Sequence, residues 1–331
     1  MYKRSPFVII SVVACCWLTF AGNLPGAEDS QTVKTPFPNN PDCKIIGLPE
    51  NTRPDSNRIG KISIEGLLSD IPVDPCQIKT LRPDIFNEGY FSVFDCLVHV
   101  CNKHNIDIKY NFDSQLRCHV IDSIDKKKNW WYAAIYHGGG RPEEPIHRMD
   151  THPYKDWMTI EVYQIQKERI DQIYSAFRAE AKRLESNKNR VVVPEVLIQT
   201  LNQNLKFTNV EVKPYRIRYD MFKPDVLIAA DIMLSLAEQS KLSLDLLWRE
   251  QFGQALVQGY YFNRFNEEQA HGRAGFTYSL GEKINNARAA QARRFGDNFF
   301  HMTTDIRVIV SPEYMHWRWT DLSGREVPPR K

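Results

Sequence analysis

One pattern occurs twice in this chain, and it narrows the folds open to it. Phe94, Leu97, Val98 and Cys101 lie on one face at helical spacing. Ala230, Met233, Leu234 and Ala237 repeat that spacing at a single fixed offset, and Asp231 stands to Asp95 at the same offset. The residues downstream of each helix match as well. Alternating Ile106, Ile108 and Tyr110 answer to Leu242, Leu244 and Leu246. Residues 120–125 answer to 261–266, and the aromatic stretch 130–136 to 275–280. Residues 157–165 answer to 305–310, which 314–319 extends. A helix followed by strands, met twice, predicts an α+β chain of two tandem modules, each a mixed sheet with one packed helix.

Local signals place the elements. Ser92 with Asp95 three residues on is a capping-box pair that starts the first helix. Asp225 is the expected cap of the second helix. Residues 61–68 alternate as a half-buried strand, and 71–89, broken by Pro72, Pro75 and Pro83, read as an irregular connection. The charged stretch 166–189 carries Ile170, Ile173, Tyr174, Phe177 and Leu184 on one stripe and reads as a linking helix; Pro194 would open a further short helix. Residues 282–298 read as an inserted basic helix or loop. The domain reading is therefore a leader at 1–27, a disordered tether at 28–58, a module at 59–165, a helical linker at 166–205, a second module at 206–321 and a tail.

The first module resembles a known family: the β-grasp domain at the C-terminus of transcobalamin and intrinsic factor, with its related bacterial exported domains of unknown function. The residues that carry the resemblance are Ser92 to Leu97, the strand at 120–125, and Asn129-Trp130-Trp131-Tyr132. The second module matches more loosely, with Phe276 and Tyr278 in place of the paired tryptophans. The resemblance implies a β-grasp fold in both modules. It also implies a cobalamin-like corrinoid as a ligand, although the α/α barrel that completes the clamp in the animal proteins has no counterpart here.

Lys3 and Arg4 followed by a short apolar run predict an export signal, so the expected localisation is the periplasm or cell surface. Cys15 offers a competing lipoprotein reading, against which the apolar run continues through Trp17, Leu18 and Phe20. Beyond the leader remain Cys43, Cys76, Cys96, Cys101 and Cys118, an odd set without a Cys-x-x-Cys, expected as buried thiols with one or two bridges. The 43 basic and 40 acidic side chains nearly cancel, at +3, which gives no footprint for nucleic acid.

Candidate site residues are aromatic. Trp130, Trp131 and Tyr132 are adjacent on a strand, so alternate side chains face opposite sides, one to the core and one to a ligand or partner. His271 and Arg273, in a glycine-rich loop before Phe276 and Tyr278, could hold an anion. The competing reading packs the tryptophans in the core and makes the loop a plain turn. His271, His301 and His316 fit no standard metal-ligand spacing, and no nucleophile elbow, phosphate loop or His-Glu-x-x-His occurs. The expectation is an exported, non-catalytic protein that binds a small ligand or another exported protein. A metal-assisted hydrolase and a structural spacer are the alternatives.

Overall fold

A computed structural model describes residues 33–139, 146–272, 274–284, 293–299 and 302–321. It is an α+β structure in which three helices pack against mixed sheets, among the described residues. None of these helices is long and apolar enough to cross a membrane.

The first half is built on β3 (Gly60–Ile64), β4 (Leu68–Val73), β7 (Trp130–Ile135) and β8 (Thr159–Gln164). Their order in the sheet is β4-β3-β8-β7. Strands β3 and β8 run parallel at the centre, and each outer strand pairs antiparallel with its neighbour. Helix α1 (Val93–Lys103) crosses from β4, and a separate hairpin of β5 (Ile108–Asp113) and β6 (Cys118–Ile124) follows it. The expected capping box is present: the Ser92 amide donates to Asp95 Oδ2 at 2.7 Å, and the Asp95 amide donates to Ser92 Oγ at 3.1 Å.

Helix α2 (Lys167–Ser186) lies where the charged, striped stretch places it. Its apolar stripe packs on the first half, with Phe177 6.3 Å and Tyr174 6.4 Å from the Trp131 ring.

The second half repeats the order. Strands β9 (Val192–Gln199) and β10 (Asn204–Glu211) form a hairpin, and helix α3 (Ala229–Glu238) follows. Then come the hairpin of β11 (Leu244–Phe252) and β12 (Ala255–Phe265), the short β13 (Glu268–Gln269), and β14 (Ala274–Ile284), β15 (Arg293–Phe299) and β16 (Tyr314–Asp321). The main sheet reads β10-β9-β16-β14-β15, with β9 and β16 parallel at its centre.

Several elements differ from the sequence reading. The short helix expected after Pro194 is strand β9; its Val193, Val196 and Ile198 are fully buried, which β-branched residues favour in a strand. Asp225 is exposed and leaves the helix start to Ile228, whose amide donates to Asp231 Oδ2 at 2.9 Å. The insertion is no helix where described: β14 continues to Ile284 and β15 pairs back on it. The last strand of the second sheet is β16, so 314–321, and not 305–310, corresponds to β8.

The largest difference lies at the start. The segment expected as a tether carries β1 (Val33–Lys34) and β2 (Lys44–Ile46), and β2 pairs in parallel with β11. Phe37, Cys43 and Ile45 are buried. Proline-rich composition signals an extended chain, and here that extended chain adds to a sheet edge.

Candidate functional site

The aromatic candidates are core residues. Trp130 is 1% exposed and Trp131 7%, and Tyr132 is fully buried. The expected alternation into core and ligand faces fails because α2 covers the second face of β7. Trp130 Nε1 donates to the Lys127 carbonyl at 2.9 Å. Trp131 borders a groove of about 350 Å3 lined by Ile146, Tyr163, Ile165, Gln166 and Arg169. Phe276 sits between Phe265 and Trp319, with centroids at 4.6 and 5.1 Å. Tyr278 is buried and donates to the Met302 carbonyl at 2.8 Å. His271 is exposed, 5.5 Å from the Trp319 ring, and Arg273 lies outside the described residues. Among the described residues, Trp130, Trp131 and Tyr132 pack with α2 and the first half, while His271, Phe276 and Tyr278 pack around Trp317 and Trp319.

Of the candidate histidines, His271 has Trp319 as its ring neighbour. His316 meets Gln199 Oε1 at 2.7 Å, and His301 lies outside the described residues. Among the described residues no group of three His, Cys, Asp or Glu is placed to hold a metal. The thiols are free and Cys43, Cys96, Cys101 and Cys118 are buried; burial pushes Cys101 and Cys118 up to about 12, which makes them inert.

A buried joint between the halves holds two displaced titrations. The His152 ring lies between two phenols, Nδ1 3.1 Å from Tyr132 Oη and Nε2 3.1 Å from Tyr136 Oη. Burial, with Arg307 and Lys155 nearby, pulls it down to about 3. Lys155 donates to the carbonyls of Val257 and Gln258 at 3.0 Å each, and burial pulls it down to about 7. These bonds tie the first half to β12. All of these groups are enclosed in the joint.

A repeated arrangement that sequence reasoning missed is more informative. Arg82-x-Asp84-x-Phe86 recurs as Arg218-x-Asp220-x-Phe222, 136 residues on, the same offset that relates Asp95 to Asp231. The side chains repeat their geometry. Arg82 grips Asp84 with Nε and Nη2 at 2.9 and 2.7 Å and reaches Asp150 Oδ2 with Nη1 at 2.8 Å. Arg218 grips Asp220 at 3.0 and 2.9 Å and reaches Asp305 Oδ2 at 2.9 Å. Each guanidinium lies under an aromatic ring, Arg82 5.4 Å from Phe112 and Arg218 5.3 Å from Trp248. Phe112 and Trp248 are also 136 apart. In both copies the second carboxylate oxygen, Asp150 Oδ1 or Asp305 Oδ1, is buried without a partner.

The copies differ in what covers them. In the second half the segment 33–52 lies over the clamp. Thr52 Oγ1 donates to Asp220 Oδ2 at 2.5 Å, Phe37 stacks edge-on against Tyr215 at 5.4 Å, and Tyr260 Oη donates to the Gly47 carbonyl at 2.9 Å. Gly47, at φ +81°, crosses Trp248 so closely that a Cβ there would lie 2.7 Å from the Trp248 Cβ. In the first half the same positions are open among the described residues. Asp84 is 61% exposed against 11% for Asp220. Phe112 is 50% exposed and Leu81 37%, while Trp248 is partly buried and Ile217, the counterpart of Leu81, is 8% exposed. Among the described residues strand β5 pairs only with β6, whereas its counterpart β11 also takes β2.

His119 joins the open site. Its backbone amide and Nδ1 lie 2.9 and 3.0 Å from Asp150 Oδ2, and its ring stacks on Phe94. A carboxylate-oriented imidazole is the pair that a general base uses. The neighbouring thiol, Cys118, is buried and inert.

Comparison with protein-family models, with curated proteins and with solved structures finds no match to this chain.

Proposed function

We propose that this chain is an exported, non-catalytic binding protein made of two tandem β-grasp-like modules, and that the first module docks a partner polypeptide on the Arg82–Phe112 face. The duplication is supported by the like strand orders, β4-β3-β8-β7 and β10-β9-β16-β14, and by the clamp repeated at one offset. The observation that carries the binding reading is the difference in cover. One copy of the clamp has an extended segment over it, and the other leaves Phe112, Leu81 and Asp84 in solvent. An exposed aromatic beside a fixed guanidinium is the kind of anchor that interfaces use.

A photo-crosslinking residue in place of Phe112, in the full chain in its producing cells, tests this. The expected result is a covalent adduct with a second polypeptide that is absent when the same group replaces Phe252, which is 40% exposed on the other half. Equal labelling at both positions, or none at 112, rejects the reading.

A small ligand is the second reading, favoured by the groove beside Trp131. At about 350 Å3 it falls at the low end of small-molecule sites, roughly 300–1,000 Å3, which leaves little room for a corrinoid. A metal-assisted hydrolase is disfavoured by the separate surroundings of His271 and His316.

A further inference from the structure

Resting on the reading of a duplicated module with one open face, the arrangement of the second half specifies how the first is filled. We infer that the partner docks as an extended strand, parallel to β5 on its free edge, with an acidic residue beside Lys109, a glycine over Phe112, and a hydroxyl residue at Asp84.

Each feature is read from the covered copy. Strand β2 pairs with β11 in the register Asp245↔Lys44, Leu246↔Ile45 and Leu247↔Ile46. At the 136-residue offset those β11 positions are Lys109, Tyr110 and Asn111 of β5. Lys109 and Asn111 are exposed, whereas their counterparts Asp245 and Leu247 are buried and partly buried beside the added strand. A strand edge left open offers its backbone N–H and C=O groups to such an addition. The glycine follows from Gly47, because a Cβ at that turn would lie 2.7 Å from the Trp248 Cβ. The hydroxyl follows from Thr52, which donates to the clamp carboxylate.

The charge at the edge decides who the partner is. In the covered copy Lys44 is the register partner of Asp245, whose carboxylate Arg264 holds at 2.8 Å, while Arg264 Nη2 donates to the Asp42 carbonyl. In the open copy Asp245 is replaced by Lys109, and the position across the hairpin is Ser123. The segment 33–52 of a second copy would bring Lys44 beside Lys109, a like-charge pair that opposes docking. The occupant is therefore a different polypeptide, with Asp or Glu at that position.

Two synthetic peptides of residues 42–54, one with the native sequence and one with Lys44→Glu, test this against the full chain. Binding is followed by fluorescence anisotropy and mapped by hydrogen exchange at residues 109–112 and 245–248. The Lys44→Glu peptide is expected to bind about fivefold more tightly than the native one. It should protect residues 109–112, and lose binding to the Phe112→Asp chain or when it also carries Gly47→Val. Native peptide binding as well or better, or protection appearing only at 245–248, overturns the inference. So does a dimer in which copies exchange segment 33–52. Free exchange at 109–112 with neither peptide binding rejects the strand mode and leaves the partner reading standing. Residues 109–112 as protected as 245–248 before any peptide is added would reject both, since the face would already be covered.

Discussion

The same guanidinium clamp has two different consequences, set by solvent. Arg218 is 0% exposed with Asp305 at 0% and Asp220 at 11%, so removing its charge strands two carboxylates in a dry site. Arg218→Met is expected to cost about 3–5 kcal/mol in chemical denaturation. Arg82→Met should cost less, about 1–2 kcal/mol, because Asp84 is 61% exposed and Asp150 keeps the His119 amide. Equal costs would mean that the two sites are equally dry. His152 contributes to the pH dependence. A neutral ring accepts from one phenol and donates to the other; an imidazolium can only donate. Its folded value of about 3 lies below the ordinary 6.5. The unfolded chain therefore binds the proton first, and this stability is full above about 6.5 and lost as pH falls toward about 3. His152→Gln should cost about 1–3 kcal/mol at pH 7 and flatten the fall in melting temperature over that window. An unchanged slope would place the acid-sensitive group elsewhere.

Among the elements, β2 is the most consequential, since three residues in a proline-rich stretch convert an open hairpin edge into a sheet. Its attachment depends on Gly47, held at φ +81° against Trp248. Gly47→Ala combines a left-handed backbone with a 2.7 Å contact, and a loss of about 2–3 kcal/mol is expected, with hydrogen exchange rising in β11 and not in β5. If β5 responds as strongly, the segment serves both hairpins. Helix α2 shows the converse. Its stripe is legible as a stripe, but only packing tells that Phe177 and Tyr174 cover Trp131 and so close the face that alternation alone would leave open.

For the molecule as a whole, the halves meet through equivalent residues. The Asn87 amide donates to the Met221 carbonyl and the Lys223 amide to the Ile85 carbonyl, both at 2.9 Å, around Phe86 and Phe222 with rings 5.7 Å apart. Both pairs of bonded residues exchange places under the 136-residue offset, so the contact is self-complementary in the manner of a two-fold interface. The halves should therefore unfold together. Phe86→Ala and Phe222→Ala are each expected to cost about 3–5 kcal/mol and to couple in the double variant by about 0.5–3 kcal/mol. Two separate calorimetric transitions in the parent chain would contradict this.

Sequence alone determined what short-range periodicity encodes: the α1 capping box at Ser92 and Asp95, the helix 167–186, and the α+β class. The Arg-x-Asp-x-Phe repeat was equally legible at the same offset. Its partners Asp150 and Asp305 were not, since they lie 68 and 87 residues from their arginines and no local pattern marks them. The aromatic run at 130–132 signalled burial and binding alike, because both reward the same apolar area. Only tertiary structure decided which of two matching faces stays open. That depends on where residues 33–52 come to rest, some 200 residues from the strand they join, and pairing across that distance leaves no periodicity to read.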